Sequence, residues 1–160
     1  MRHQRHRSAG IIVFRREGDE CLFLLILSRL TKRPLWEFPK GGVDEGETVL
    51  QAAMRELFEE TGIGESEVTL IPEFQRTEDY RFTSGRSEGR SLIHKQVTYF
   101  LGRTDKSEIT LSAKESSEFA WLNFADATKR LRYKERRKLL LDAATAAGCP
   151  GAAVDPIKST

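Results

Sequence analysis

The middle of the chain reads GGVDEGETVLQAAMRELFEETGI over residues 41–63. In its second half apolar residues recur at helical spacing, and Thr48 with Gln51 has the form of a capping box, so the pattern predicts a helix beginning there. Gly62 follows the last turn, where a glycine can adopt the left-handed conformation that ends a helix. The stretch therefore predicts a glycine-rich loop that leads into one helix.

Three carboxylates share one face of this helix. Glu56, Glu59 and Glu60 lie three and four residues apart, so their side chains are neighbours. Like charges at this spacing repel, and a cation should compensate them; oxygen ligands of this kind suit Mg²⁺ or Mn²⁺. Because a solvated acidic helix face has the same composition, the surrounding residues must decide between the two interpretations.

The surrounding residues form a spaced pattern that favours a metal site. Its defined positions are Gly41, Glu47, Arg55, Glu56, Leu57, Glu59, Glu60, Gly62 and Ile63. The pattern matches the signature of the Nudix hydrolases at every defined position, and the chain resembles that family through it. The resemblance implies an α/β protein with the Nudix fold, an α/β/α sandwich on a central mixed β-sheet. It also implies hydrolysis of a phosphoanhydride bond in a nucleoside-diphosphate-linked substrate, with Mg²⁺ or, as a substitute, Mn²⁺.

The resemblance also assigns the metal ligands. Glu56 and Glu60 are expected to bind the metal directly, with Glu59 as a further ligand or as the base for the attacking water. A backbone carbonyl of Lys40 or Gly41 is expected to complete the metal shell.

Other positions are expected to support the metal site and to supply the catalytic base. By similarity, Glu47 and Arg55 form a salt bridge that fixes the loop against the helix. Branches of the family place the base either in this helix or in a later loop, where Glu115 and Glu118 are the candidates. The expected catalytic residues are Glu56, Glu59 and Glu115.

Two apolar runs, residues 9–14 and 21–28, predict adjacent strands. Both are apolar on both faces, so the sheet should be covered on both sides. Further strands are expected over residues 68–74, 96–101 and 119–122, and helix over residues 124–147 with a break near Arg132. We expect one domain over residues 1–160.

The ends of the chain are expected to be flexible. Residues 1–7 have a basic composition that would suit a nucleic-acid arm, but a solvated tail is the simpler interpretation, and the chain from Gly148 onward is also expected to be loose. The net charge of +2 gives no general case for nucleic acid or a membrane, and no DNA partner is expected. Cys21 and Cys149 fit neither a metal site nor a disulfide framework, which favours a reducing cytoplasm.

The residues around the signature narrow the substrate class. Trp36-Glu-Phe-Pro-Lys40 before Gly41 resembles the entry to the signature in diadenosine polyphosphate hydrolases, and a cation at Lys40 suits a long polyphosphate. The second half of the chain resembles the asymmetric diadenosine tetraphosphate hydrolases and shares features with RNA pyrophosphohydrolases. The candidate substrate-binding residues are Lys40, Arg76, Tyr80, Phe82 and Lys95.

Three functions therefore remain open. The leading one is cleavage of a diadenosine polyphosphate, such as the tetraphosphate, to ATP and AMP. The second is removal of pyrophosphate from an RNA 5′ end, and the third is a non-catalytic nucleotide-binding regulator. Arg76, Arg81, Arg86 and Arg90 are candidate phosphate contacts, and ordinary solubilising charge is the alternative interpretation of each.

Overall fold

A computed structural model describes residues 2–29, 33–85 and 89–151. The strands are β1 Arg2–Glu17, β2 Glu20–Ser28, β3 Leu35–Glu37, β4 Lys40–Gly42, β5 Val68–Ser84, β6 Ser91–Thr104 and β7 Ser116–Leu122. The helices are α1 Val49–Thr61, α2 Phe124–Arg130 and α3 Lys134–Ala146, with a short 3₁₀ turn at Glu65–Glu67.

The strands form one mixed sheet. Its order is β3-β2-β1-β6-β5, with β4 paired to β1 and β7 paired to β2. β1 and β6 run parallel along thirteen paired positions, whereas the other pairs are antiparallel. The short β4 lies against residues 8–10 of β1, so the glycine-rich loop is part of the sheet.

Each face of the sheet is covered by helices. Alternate residues of β1 point to opposite faces: Ile12 packs in a cluster with α2 and α3, and Ile11 packs in a second cluster with α1. The apolar runs predicted that both faces of the sheet are covered by other elements, and the α/β/α arrangement confirms that prediction. The helix break is confirmed as well, because α2 ends at Arg130 and α3 begins at Lys134.

Helix α1 begins and ends where its sequence predicts. The Thr48 hydroxyl accepts a hydrogen bond from the Gln51 amide at 3.1 Å, and the Gln51 side chain accepts one from the Thr48 amide at 2.9 Å. Gly62 closes the helix at a φ of 78°, in the left-handed region that glycine adopts without a steric penalty.

The amino terminus differs from the sequence expectation. Residues 2–7, expected as a solvated tail, belong to β1 and pair with residues 91–96 of β6. β5 likewise continues past residue 74 to Ser84, opposite the same part of β6. Residues 2–7 are all polar, so no apolar alternation marks them as a strand. We call residues 2–7, 78–84 and 91–96 together the β-arm.

The cysteines also differ from expectation, because Cys21 and Cys149 form a disulfide with their Cα atoms 5.7 Å apart. α3 packs back over the sheet and brings the turn after it to the start of β2, where Arg16 donates a hydrogen bond to the Ala147 carbonyl at 2.8 Å. Gly148 and Cys149 are thus held by contacts, while residues 152–160 lie outside the described chain. A separation of 128 residues carries no local signal for this pairing.

Reduction of this disulfide should destabilise the fold. Opening a loop of this length restores chain entropy to the unfolded state, a contribution of at most about 5 kcal/mol. We expect Cys149→Ser, or wild type in dithiothreitol, to melt at a lower temperature in calorimetry. An unchanged melting temperature would show that the bond contributes nothing to stability.

Candidate active site

Three carboxylates from two segments meet at one end of the sheet. Glu56 and Glu60 project from α1 and are buried, and Glu115 comes from the segment before β7. Oxygens of these three side chains lie within 4.8 Å of one another. The structure therefore brings the predicted ligands Glu56 and Glu60 together with the residue predicted as a base.

The loop approaches these carboxylates as closely as a glycine allows. A Cβ atom on Gly41 would lie 2.1 Å from the carboxyl carbon of Glu56, a distance that excludes any side chain. The neighbouring Lys40 amide donates a hydrogen bond to Glu60 at 3.0 Å. The backbone expected to complete the metal shell thus lies against both buried carboxylates.

Arg55 connects the loop to the helix. Its guanidinium donates to both carboxylate oxygens of Glu47, at 2.8 and 2.9 Å, and to the Gly42 carbonyl at 2.8 Å. The expected Glu47–Arg55 salt bridge is present, and its two parallel hydrogen bonds fix the relative orientation of the two groups. The pKa of Glu47 is lowered, mainly by the Arg55 hydrogen bond.

The remaining predicted acids lie outside the three-carboxylate group. Glu59 is about half exposed and pairs with Arg55 at 3.2 Å. Arg55 also contacts Glu56 at 2.9 Å. Glu118 is exposed on β7. Of the two loop candidates for the base, Glu115 is the one that lies within the three-carboxylate group.

The group has the electrostatics of a cation site. Burial, followed by the charges of Glu56 and Glu115, raises the pKa of Glu60 to about 9. Burial also raises the pKa of Glu56, although the Arg55 hydrogen bond opposes this. Buried carboxylates that repel one another ionise readily only when a cation compensates them. The donor set of hard oxygens fits a divalent metal ion of the Mg²⁺ type.

On the other face of the same strands, basic and aromatic side chains gather. Because neighbours in β4 alternate, Gly41 faces α1 and Lys40 faces the α3 side, where its Nζ lies 3.8 Å from Glu37. Lys95 is half buried nearby. Its pKa is lowered by burial and then by the Lys40 charge, so the two lysines are electrostatic neighbours.

Tyr80 belongs to this cluster with residues that the sequence analysis did not identify. Its hydroxyl donates a hydrogen bond to Glu78, which also accepts one from Arg136 of α3. The Arg136 guanidinium lies 5.3 Å from the centre of the Tyr80 ring and 5.7 Å from that of Tyr99. Glu78 and Arg136 were missed because their roles depend on α3 packing over β5, which has no local signal.

Two other predicted substrate residues lie on β5 on either side of Tyr80. Phe82 is exposed on the β-arm. Arg76 lies over the Phe74 ring at 4.5 Å and 3.8 Å from Asp142 of α3. Arg81 and Arg90 are exposed, and Arg86 lies outside the described residues.

A glycine-rich loop fixed by an arginine to a helix with buried carboxylates is the arrangement that the sequence signature implies for hydrolases that act on phosphoanhydrides. The family model described as NUDIX domain matches residues 4–143, and the chain belongs to this family. None of the helices that the structure describes is long and apolar enough to cross a membrane.

Named relatives support the same chemistry. The chain is 37% identical to an RNA pyrophosphohydrolase of Bartonella bacilliformis, over 73% of this chain and 76% of the relative. It is 33% identical to an asymmetrical bis(5′-nucleosyl)-tetraphosphatase of Mus musculus, over 84% and 90% of the two chains. The solved binary complex of a C. elegans Ap4A hydrolase superposes with a TM-score of 0.75 and 30% identity, over 89% of this chain and 98% of that one. The protein is a Nudix hydrolase of nucleoside phosphoanhydrides.

The close approach at Gly41 predicts a mutational effect. Gly41→Ala should push β4 away from Glu56 and weaken binding of Mn²⁺, measured by calorimetric titration, by about 10- to 100-fold. Gly42→Ala is the matched control, because a Cβ there meets nothing within 4 Å. Equal affinities in the two variants would contradict the assigned geometry.

The raised pKa of Glu60 predicts a pH dependence of stability. The folded protein keeps a proton on Glu60 up to about pH 9, whereas the unfolded chain loses it near 4.5, so stability in EDTA should fall as the pH rises between these values. Urea unfolding at several pH values tests this. Glu60→Gln should flatten the dependence, and a slope retained in that variant would assign it to other groups.

Proposed function

We propose that this chain hydrolyses dinucleoside polyphosphates, diadenosine tetraphosphate first among them, to ATP and AMP. The observation that carries the proposal is the position of Lys40. Its amide contacts the metal-site carboxylate of Glu60, and its side chain faces the cluster that contains Lys95 and Tyr80. A polyphosphate bound at the carboxylates would therefore have cations along its onward path.

The proposed metal is Mg²⁺, with Mn²⁺ as a substitute, held by Glu56 and Glu60. When bound, the ion would neutralise phosphate charge and acidify the attacking water. We assign Glu115 as acceptor of the water proton, because it joins the same carboxylate group from a separate segment. Glu59 stays a proposed ligand or alternative base, and the carbonyl of Lys40 or Gly41 stays a proposed ligand.

The substrate cleft is proposed from the cluster on the α3 side. Lys40 and Lys95 would bind phosphate oxygens as point charges. Tyr80 offers a ring face for an adenine, and the hydrogen bond to Glu78 fixes the orientation of that ring. Phe82 and Arg76 stay proposed as contacts to more distant parts of the substrate.

A second candidate is removal of pyrophosphate from an RNA 5′ end. The relative named RNA pyrophosphohydrolase favours it, and so does the basic β-arm beside the metal site. A purely regulatory nucleotide-binding role is less well supported, because a sensor needs no group of buried carboxylates that can hold a cation and activate water.

A cytoplasmic location is proposed, because nucleotides and RNA ends are found there. In that compartment the pair Cys21–Cys149 would be exposed to reductants, whereas an oxidising compartment would keep it closed. The redox state of the pair in cells therefore tests the location.

Product analysis tests the substrate assignment. Purified protein with Mg²⁺ is incubated separately with diadenosine tetraphosphate, 5′-triphosphate RNA and 8-oxo-dGTP. We expect ATP and AMP from the first to form fastest, and Glu60→Gln to slow this by at least about 100-fold. A faster release of pyrophosphate from RNA would favour the second candidate, and full activity of Glu60→Gln would contradict the metal site.

A further inference from the structure

The β-arm is a three-stranded ribbon that extends past the metal-site end of the sheet. β6 lies in its middle, between β1 and β5. β4 pairs with β1 at residues 8–10, and the Val43 amide just after it donates a hydrogen bond to the Arg7 carbonyl at 2.9 Å. β2 pairs with β1 at residues 14–17, so residues 2–6 extend beyond both contacts. All of residues 2–7 are exposed.

One face of the arm concentrates positive charge. The register places Arg5 beside His94 and His94 beside Arg81, so these three side chains form one row across the ribbon. Arg7 and His3 lie on the same face of β1, because alternate residues of a strand share a face. The basic row is the set Arg5, Arg7 and Arg81, with His94 between Arg5 and Arg81 and with His3 on the same face of β1.

The acidic residue on this face, Asp79, is already hydrogen-bonded to neighbouring side chains. Asp79 accepts hydrogen bonds from His94 at 2.9 Å and from Gln96 at 3.3 Å. The arginines Arg5, Arg7 and Arg81 are exposed, and their charge exceeds that of the one carboxylate. The face therefore complements an extended anion.

The row begins beside the metal site. Ala9 shares its face and pairs with Gly41, where an added Cβ would lie 2.1 Å from the carboxyl carbon of Glu56. At a rise of about 3.3 Å per residue, Arg7 lies about 7 Å from Ala9 along β1, and Arg5 lies about 13 Å from it. A polynucleotide whose end is held at the carboxylates would pass Arg7 first and then Arg5, whereas a short nucleotide would end before it reached Arg5.

We propose that this face of the β-arm binds the phosphate backbone of single-stranded RNA downstream of its 5′ end. The proposal rests on the RNA-end candidate for the function and names the surface that would hold the body of that substrate. Phosphate contacts of this kind are independent of base sequence and sensitive to salt.

Binding is measured separately from catalysis. A labelled 5′-hydroxyl RNA of about 16 nucleotides, which is long enough to follow the arm, is titrated with protein in a fluorescence anisotropy assay at several salt concentrations. Arg5→Gln/Arg7→Gln should bind at least about tenfold more weakly, and the slope of log K against log salt should fall by about 1.4. The charge-matched control is Arg103→Gln/Lys129→Gln, which removes two exposed cations outside the arm.

The outcomes separate the surface from the reaction. Equal RNA affinity in the arm variant and the control overturns the proposal, and so does binding of the arm to vesicles of phosphatidylserine and phosphatidylcholine but not to RNA. Arm-dependent RNA binding without pyrophosphate release supports the surface and contradicts only the RNA-end function. Where RNA is a substrate, the arm variant should raise KM for RNA and leave hydrolysis of diadenosine tetraphosphate unchanged.

Discussion

The contact on which the rest of the site depends is the close approach of β4 to α1. Because Gly41 has no side chain, the β4 backbone can contact the Glu56 carboxylate. Arg55 holds β4 in this position by hydrogen bonds to Glu47 and to the Gly42 carbonyl. Glu56 and Glu60 are thus buried beside each other, and burial raises the pKa of both carboxyl groups. The sheet on one side and the capped helix on the other keep them in place, so a compensating cation is needed to ionise both.

The alternation of β4 separates two chemical environments within two residues. Gly41 faces the acids on the α1 side, and Lys40 faces the lysine and tyrosine cluster on the α3 side. The proposed polyphosphate substrate has two requirements, a metal ion at one phosphate and cationic side chains at the others. Adjacent positions of one short strand would meet both requirements, and this strand is fixed to the core by pairing with β1.

The sequence predicted those parts of the molecule whose signals are local. Helix α1 begins at the Thr48–Gln51 capping box and ends at Gly62 as expected. Glu47 also pairs with Arg55 as expected, because capping and loop contacts act over a few residues. The apolar runs of β1 and β2 predicted a sheet covered on both faces. Polar strands such as residues 2–7 have no such pattern, and their pairing is imposed by β6. The Cys21–Cys149 disulfide and the contact of Arg136 with Glu78 depend on how α3 packs, which no short stretch encodes. Glu115 was one of two open loop candidates, and its place beside Glu56 and Glu60 follows only from the folded segment before β7.

The central claim is that carboxylates from α1 and from the segment before β7 form one divalent cation site. Anomalous diffraction from crystals grown with Mn²⁺ tests it directly. The account predicts one strong peak in contact with Glu56 and Glu60 and next to Glu115 and the backbone at Lys40 and Gly41. A peak held by Glu59 on the exposed side of α1, with none among the buried carboxylates, would contradict it.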